Sequence, residues 1–423
     1  MAGLSDITTT HSLVERDDTV RDCINAILAR QHVLMIGLPG IAKSLIAKTL
    51  AESIKGATVF ETELNPYTTP TALFGPMDLA ALESGTYSYN TGGMLPDADF
   101  AIINEVFNAQ GATLQSLNGT LNERQFINGG EVMDLPLKTV FATTNRMPSL
   151  VDYGSTYDRF LVRCHVKPIQ ERCNFVEFIM NTNDASRSRK TTEVMDMETL
   201  CKAQSEVQDV KVTLECAEAL GEIRYALQTG RDSNGNDIPG FGGNTSGPRK
   251  TGPRDNFHFD ETLVPSDRRW EQCVELARAR AFLSQRRDEN GNRYMVPSDL
   301  LAIICALWVY PEQAPVVGRT VEGFVMPSIN DCRQVVEGGY QCFDSFMNLV
   351  AKDVATRSAV DVDAKSYEDH FSEVLNALDT CIKRINNEYS DLKGLPEVDE
   401  YLQSLETWKR QASAHGSKQL ALL

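Results

Sequence analysis

The chain has 423 residues, a net charge of −17 and 42% hydrophobic residues, a make-up that suits a soluble globular protein with room for two or three cores. No apolar run approaches the roughly 20 residues of a membrane span, and the polar start from Met1 to Arg16 is unlike a secretory signal. The negative field disfavours bulk binding to nucleic acid. Ten cysteines without CxxC pairs and six histidines without ligand spacing point away from zinc and disulfides, toward reduced thiols in a cytoplasmic protein.

In chain order, apolar runs at 33–36, 58–62, 100–103, 138–143 and 161–166 read as strands, and helical patterns fall around 19–29, 43–55, 107–122 and 171–181. This alternation predicts an α/β fold with a parallel sheet covered on both faces. The polar stretch 183–195 marks a boundary, and from 196 onward the pattern is mostly helical. Residues 229–258 are rich in Gly, Asn, Asp and Pro, cannot bury enough surface to order alone, and read as a mobile insertion. Near the C-terminus, Phe371, Val374, Leu375, Leu378, Cys381, Ile382, Ile385 and Tyr389 form one helical stripe, stopped by Gly394 and Pro396. A second stripe follows at Tyr401, Leu402, Leu405 and Trp408. The expected division is 1–195, 196–318 and 319–423, the last two helical.

The chemistry gathers after the first strand. Val33-Leu34-Met35-Ile36 runs into Gly37-Leu38-Pro39-Gly40-Ile41-Ala42-Lys43-Ser44, with a helical stretch from Leu45 behind it. Turn and helix N–H groups in this order cradle phosphate oxygens, Lys43 neutralises phosphate charge, and Ser44 reaches Mg²⁺. The pattern wants glycine before the lysine. Ala42 fits that place if its φ is negative.

About 60 residues on, Phe100-Ala101-Ile102-Ile103 ends in Asn104-Glu105. Glu105 is placed to polarise an attacking water. Asn104 stands where an aspartate is expected. Its amide can accept from an Mg²⁺-bound water but brings no charge, which predicts weaker Mg²⁺ binding or slower hydrolysis. Gly129-Gly130 between Phe126-Ile127 and Val132-Met133 signals a hairpin. Thr139 to Thr144 leads to Asn145, which can orient water near the γ-phosphate. Arg159 and Arg163 are both available as fingers for a neighbouring site.

With Leu73-Phe74-Gly75-Pro76, Leu121-Asn122-Glu123-Arg124-Gln125-Phe126, Tyr157-Asp158-Arg159 and Ser266-Asp267-Arg268-Arg269-Trp270, the chain resembles AAA+ ATPases of the MoxR branch, closest to the RavA type, over roughly residues 10–310. The resemblance implies an α/β AAA+ core of the P-loop NTPase kind at 1–195, an α-helical lid at 196–318 and a helical C-terminal domain. It accepts Ala42 as usual for the branch. It makes Gly37, Pro39, Gly40, Ile41, Ala42, Lys43, Ser44 and Leu45 the nucleotide-binding segment and Glu105 the Walker B glutamate. Asn145 becomes sensor 1, Arg159 the arginine finger with Arg163 behind it, and Arg268 sensor 2 in the same subunit, with Arg269 as the alternative. Ser44 and Asn104 would hold Mg²⁺ through water.

It further implies a homo-hexameric ring and an insert at about Thr68 to Pro96 that faces the pore with the hairpin. A partner with a von Willebrand factor A domain and a protein client to be remodelled, assembled or metal-loaded complete the expectation. Two departures stand out: Asn104, and the lack of a strand-rich module between 320 and 423. The first reading is an ATP-hydrolysing remodeller. The alternatives are a nucleotide-gated assembly scaffold with weak hydrolysis, motivated by Asn104, and a nucleic-acid motor, which the charge opposes.

Overall fold

The computed structural model describes residues 13–181, 193–231, 265–325, 335–348, 364–388 and 396–420. The expected boundary at 183–195 and insertion at 229–258 lie largely outside the described residues, as do Tyr389 and Gly394. The chain divides into two units, Met1–Val321 and Glu322–Leu423.

The first unit opens with α1 (Asp17–Leu28), β1 (Val33–Ile36), α2 (Lys43–Glu52), β2 (Ile54–Lys55) and β3 (Val59–Glu63). Two short helices follow, α3 (Thr71–Phe74) and α4 (Leu79–Glu83), then β4 (Phe100–Asn104) and α5 (Gly111–Glu123). The hairpin strands β5 (Gln125–Asn128) and β6 (Glu131–Asp134) lead to β7 (Thr139–Thr144), α6 (Leu150–Asp158), β8 (Val162–His165) and α7 (Arg172–Asn181). Five strands form one sheet in the order β3-β4-β7-β1-β8, every pair parallel. The inner strands β1 and β7 are buried along their whole length, which is why they read as unbroken apolar runs. Ile36 pairs with Thr144 on one side and His165 on the other, and Ile103 pairs with Ala142. This register ends β1, β4, β7 and β8 at the same edge. The residues that follow those strands are therefore neighbours, the usual place for a ligand in such sheets.

The segment from Leu121 to Phe126 has a structural explanation. Arg124 closes α5 in the left-handed region, at φ 50°, where glycine is the usual choice. Its guanidinium donates to the carbonyls of Arg30 and of Leu137, the latter at 3.1 Å. Beside it, the His32 ring accepts from the Val140 N–H at 3.0 Å through Nδ1. Nε2 then carries the proton and donates to the Leu121 carbonyl at 2.9 Å. Three elements are held by one neutral ring.

The segment between β3 and β4 and the hairpin pack on each other. Phe74 stacks on Phe126 with ring centroids 4.7 Å apart, and Asn128 exchanges hydrogen bonds with the backbone of Tyr89 at 2.7 and 3.0 Å. Gly75 is required where this segment folds back: a Cβ there would lie 1.9 Å from the Asn90 oxygen. The outer face of the hairpin carries the cross-strand pair Ile127 and Val132, 68% and 61% exposed.

After β9 (Met195–Asp196), the helices α8 (Met197–Gln208), α9 (Leu214–Thr229) and α10 (Asp267–Leu283) each begin at a side-chain cap: Asp196, Thr213 and Ser266. A 3₁₀ segment Pro297–Ile303, a short α11 (Ile304–Leu307) and α12 (Ala314–Val325) complete this part. Leu276, Ala277 and Phe282 of α10 are buried, and these helices fall in the same unit as the sheet.

The second unit, taken by itself, holds a helix at 335–348, α14 (Ala364–Glu388) and α15 (Pro396–Leu420); the helix at 335–348 is counted α13. The expected stripe is its core: Leu378, Ile385 and Leu405 are fully buried, and Trp408 stacks on Phe343 at 6.0 Å. No strand occurs among its described residues.

His32 gives the first unit an acid-labile joint. Burial, reinforced by the charge of Arg124, pushes its pKa from about 6.5 down to about 3. The unfolded chain takes up the proton first, so this contribution is complete above about pH 6.5 and is lost as pH falls toward about 3. Between about pH 7.5 and about pH 5, urea melts should lose about 2 kcal/mol to this group. His32→Gln should flatten that slope, whatever it costs at neutral pH.

Candidate functional site

Lys43 opens α2, and the residue is only 6% exposed. It donates to the Gly37 carbonyl at 2.7 Å, the Leu38 carbonyl at 2.8 Å and Asn145 Oδ1 at 2.9 Å. Burial lowers its pKa, while the nearby Glu105 carboxylate pulls it back toward the charged form. The loop that wraps it depends on Gly37. A Cβ at that position would meet the Val166 oxygen at 2.3 Å, and the Gly37 N–H donates to Thr144 at 3.1 Å. Gly40 supplies the second turn, at φ 79°.

Ala42 departs from the sequence expectation. Its φ is +70°, not negative, so a side-chain-bearing residue holds the left-handed position at the helix entry. That conformation costs an alanine on the order of 1 kcal/mol, and the surrounding bonds to Lys43 hold it.

Ser44 Oγ donates to Asn104 Oδ1 at 2.6 Å, and Thr143 Oγ1 donates to the same oxygen at 3.1 Å. Thr143 also accepts from the Glu105 N–H at 3.4 Å. Glu105 itself sits in the left-handed region at φ 53°, which turns the chain sharply out of β4. Lys43, Ser44, Asn104, Glu105 and Asn145 thus come together, and Thr143, which the sequence reading passed over, ties two of them. The Mg²⁺ implied by the motifs fits this donor set, because the hydroxyl of Ser44 and the amide oxygen of Asn104 are hard oxygen ligands within reach of each other. The set is neutral at Asn104 and carries its charge on Glu105.

Beside the loop opens a cavity of about 580 Å³, lined by Gly37, Leu38, Asn145, the Val166–Gln170 loop and Tyr310 to Glu312. The far wall is held by side chains. Gln313 Oε1 accepts from the N–H groups of Val309 and Tyr310 at 2.9 and 2.8 Å, and Tyr157 OH donates to the Val309 carbonyl at 2.5 Å.

The arginines separate by environment. Arg163, the second finger candidate, is 2% exposed; it lies over the Tyr157 ring at 4.2 Å and donates to the Trp308 carbonyl at 2.5 Å. Burial, with Arg269 adding to it, brings its pKa down to about 9. It is an internal strut and cannot reach another subunit. Arg269 is likewise occupied by Asp158 at 2.5 Å and the Ala306 carbonyl at 2.7 Å. Arg159 is half-buried at the end of α6, with no hydrogen-bond partner for its Nε among the described residues. Arg268 is exposed and donates to Asn122 at 3.3 Å, so the structure sets it against the end of α5 rather than against Lys43.

A parallel sheet in this strand order, a lysine-bearing loop after β1 and polar residues after β4 and β7 define the AAA+ class of nucleotide-binding proteins. Comparisons with known proteins agree. Residues 4–205 match the family described as the MoxR domain in the MoxR-vWA-beta-propeller ternary systems, and residues 253–321 match an AAA lid domain. These matches over the core and the lid support a MoxR-type AAA+ ATPase. The lid match begins inside the segment read as an insertion.

An uncharacterised protein of Methanocaldococcus jannaschii is 31% identical over 51% of this chain and 57% of its own length. The chaperone MoxR1 of Mycobacterium tuberculosis is 27% identical over 38% of this chain and 43% of its own. A structural protein of Acidianus two-tailed virus is 24% identical over 51% and 37%. The chain spans about half the length of the curated relatives it matches. A crystal structure of a proposed ATPase from Cytophaga hutchinsonii superposes with a TM-score of 0.54 at 16% identity, covering 77% of this chain and 93% of that one. At that identity it speaks for the fold alone.

The left-handed Ala42 makes a test of the loop. Ala42→Gly should fold within about 1 kcal/mol of the parent, because relief of strain offsets the greater freedom of the unfolded chain. Ala42→Val, β-branched at positive φ, should lose more than about 1 kcal/mol in denaturant melts.

Proposed function

We propose that this protein binds ATP with Mg²⁺ and hydrolyses it to remodel or assemble a protein client. The observation that carries the reading is the joined set Lys43–Asn145 and Ser44–Asn104–Thr143 at one sheet edge, with Glu105 beside it. Phosphates would be held by the loop amides and Lys43, and the base would lie in the cavity between Val166–Gln170 and Tyr310. Mg²⁺, held from Ser44 and Asn104, would supply charge to the phosphates. Glu105 would take a proton from the attacking water, which Asn145 orients. Arg159, half-buried with an unbonded Nε, would complete the site of a neighbouring copy in a homo-hexameric ring. Arg268 is kept as the sensor-2 arginine. In its present contact with Asn122 it reaches phosphate only after the lid moves.

In this reading the domains are core 1–195, lid 196–318 and helical 319–423, and the sequence motifs support a kinship with the RavA type. The matched family's description supports a von Willebrand factor A protein, and a β-propeller protein beside it, as partners. No helix among the described residues is long and apolar enough to cross a membrane; the cytoplasmic setting is carried over from the sequence as part of this proposal. Metal loading of a client stays within this proposal as one form of assembly.

A second reading follows from Asn104. Without a carboxylate at that position the ring would bind ATP and assemble but turn over slowly, acting as a nucleotide-gated scaffold; a viral structural protein among the relatives accords with it.

Steady-state ATP hydrolysis with Mg²⁺ separates the readings. Lys43→Ala should abolish ATP binding, and Arg159→Ala should keep binding while turnover falls by about a thousandfold, the range of a finger's contribution. Turnover that survives Arg159→Ala removes that residue from the site. Under the remodeller reading Asn104→Asp changes the rate little. A rise of tenfold or more, about 1.4 kcal/mol, favours the scaffold.

A further inference from the structure

The cavity's near wall, the loop between β8 and α7, is held at both ends. Val166 N–H donates to the Ile36 carbonyl at 2.9 Å and presses against Gly37. The other end is held by a residue from the far side of the sequence. The Glu15 carboxylate accepts from the N–H groups of Gln170 at 2.6 Å and Glu171 at 2.8 Å, and from Asn174 Nδ2 at 3.0 Å. Those two N–H groups lie at the entry of α7, where a helix leaves its amides without internal partners and favours negative charge. Charge-assisted bonds of this kind are stronger than neutral ones. Glu15 also holds a left-handed backbone, φ 57°, without being glycine, so its own turn is kept in place by what the side chain grips. Arg16 adds a bond from its guanidinium to the Glu15 carbonyl at 2.8 Å.

We infer that Glu15 is a positioning residue for the base-binding wall: it fixes the Val166–Gln170 loop at the separation from the phosphate loop that a nucleoside triphosphate requires. The inference rests on the nucleotide reading above. Glu15 touches neither phosphate nor base; it acts through the loop. Its removal leaves Lys43, Ser44 and Asn104 as they are, and so spares the phosphate end while loosening the base end.

The test compares two ligands on the full chain, ATP and inorganic triphosphate, by titration calorimetry of the parent, Glu15→Ala and Glu15→Gln. Glu15→Ala should weaken ATP by about tenfold, with triphosphate affinity unchanged. Glu15→Gln, which keeps one acceptor oxygen, should lose less. If turnover is measured, KM should rise while kcat holds. Retained triphosphate binding also reports that the variant is folded. Equal losses for both ligands, or no loss for ATP, would overturn the inference. A parent chain that binds no ATP overturns the nucleotide reading itself, and the inference with it.

Discussion

A buried ammonium must be given oxygen, and the architecture around the loop meets that need. Lys43 has three acceptors, two of them carbonyls of its own loop. Those carbonyls face inward because Gly37 has no side chain to collide with Val166, and because Ala42 accepts a left-handed turn. Val166 follows the strand on one side of β1, and Asn145 follows the strand on the other side. The loop is therefore shaped by three adjacent strands rather than by its own sequence. Phosphate oxygens are the natural competitors for the same ammonium, being acceptors of higher charge than a carbonyl.

The arginines show how the same residue type divides between support and chemistry. Arg163 and Arg269 bridge the end of the sheet to the carbonyls of Trp308 and Ala306, with Tyr157 and Asp158 between them. Removing either would strand buried carbonyls as well as a partner's charge, so these are costly positions for reasons of folding. The chain just beyond those carbonyls forms the cavity's far wall. Arg159 follows Asp158 directly in the chain, at the end of α6.

What could be read from the sequence were features whose cause is local. Strands such as Val33–Ile36 and Thr139–Thr144 are buried on both faces and so appear as continuous apolar runs. The hairpin follows from two glycines, and the phosphate loop from spacing. What could not be read depends on distant partners or on backbone sign. Nothing near Ala42 states that its φ is positive. Arg163 looks like Arg159 until Trp308, some 145 residues away, is placed against it. Glu15 and Gln170 are 155 residues apart and share no motif. Thr143 hides inside a strand pattern, although its hydroxyl joins Asn104 to Glu105.

Asn104 is the point at which the fold and the chemistry pull apart. Its amide oxygen already accepts two hydroxyl donors, and an amide has no second oxygen to offer. A carboxylate in the same place could hold Thr143 with one oxygen and turn the other, charged, toward the cation. Here that one oxygen already serves Ser44 and Thr143, so a water on a bound cation would have to displace or reorient one of these hydroxyls to reach it. On the proposed reading, charge for the metal would come from the phosphates and, at a distance, from Glu105. The cation would therefore be held chiefly by the phosphates it arrives with, and only weakly by the protein.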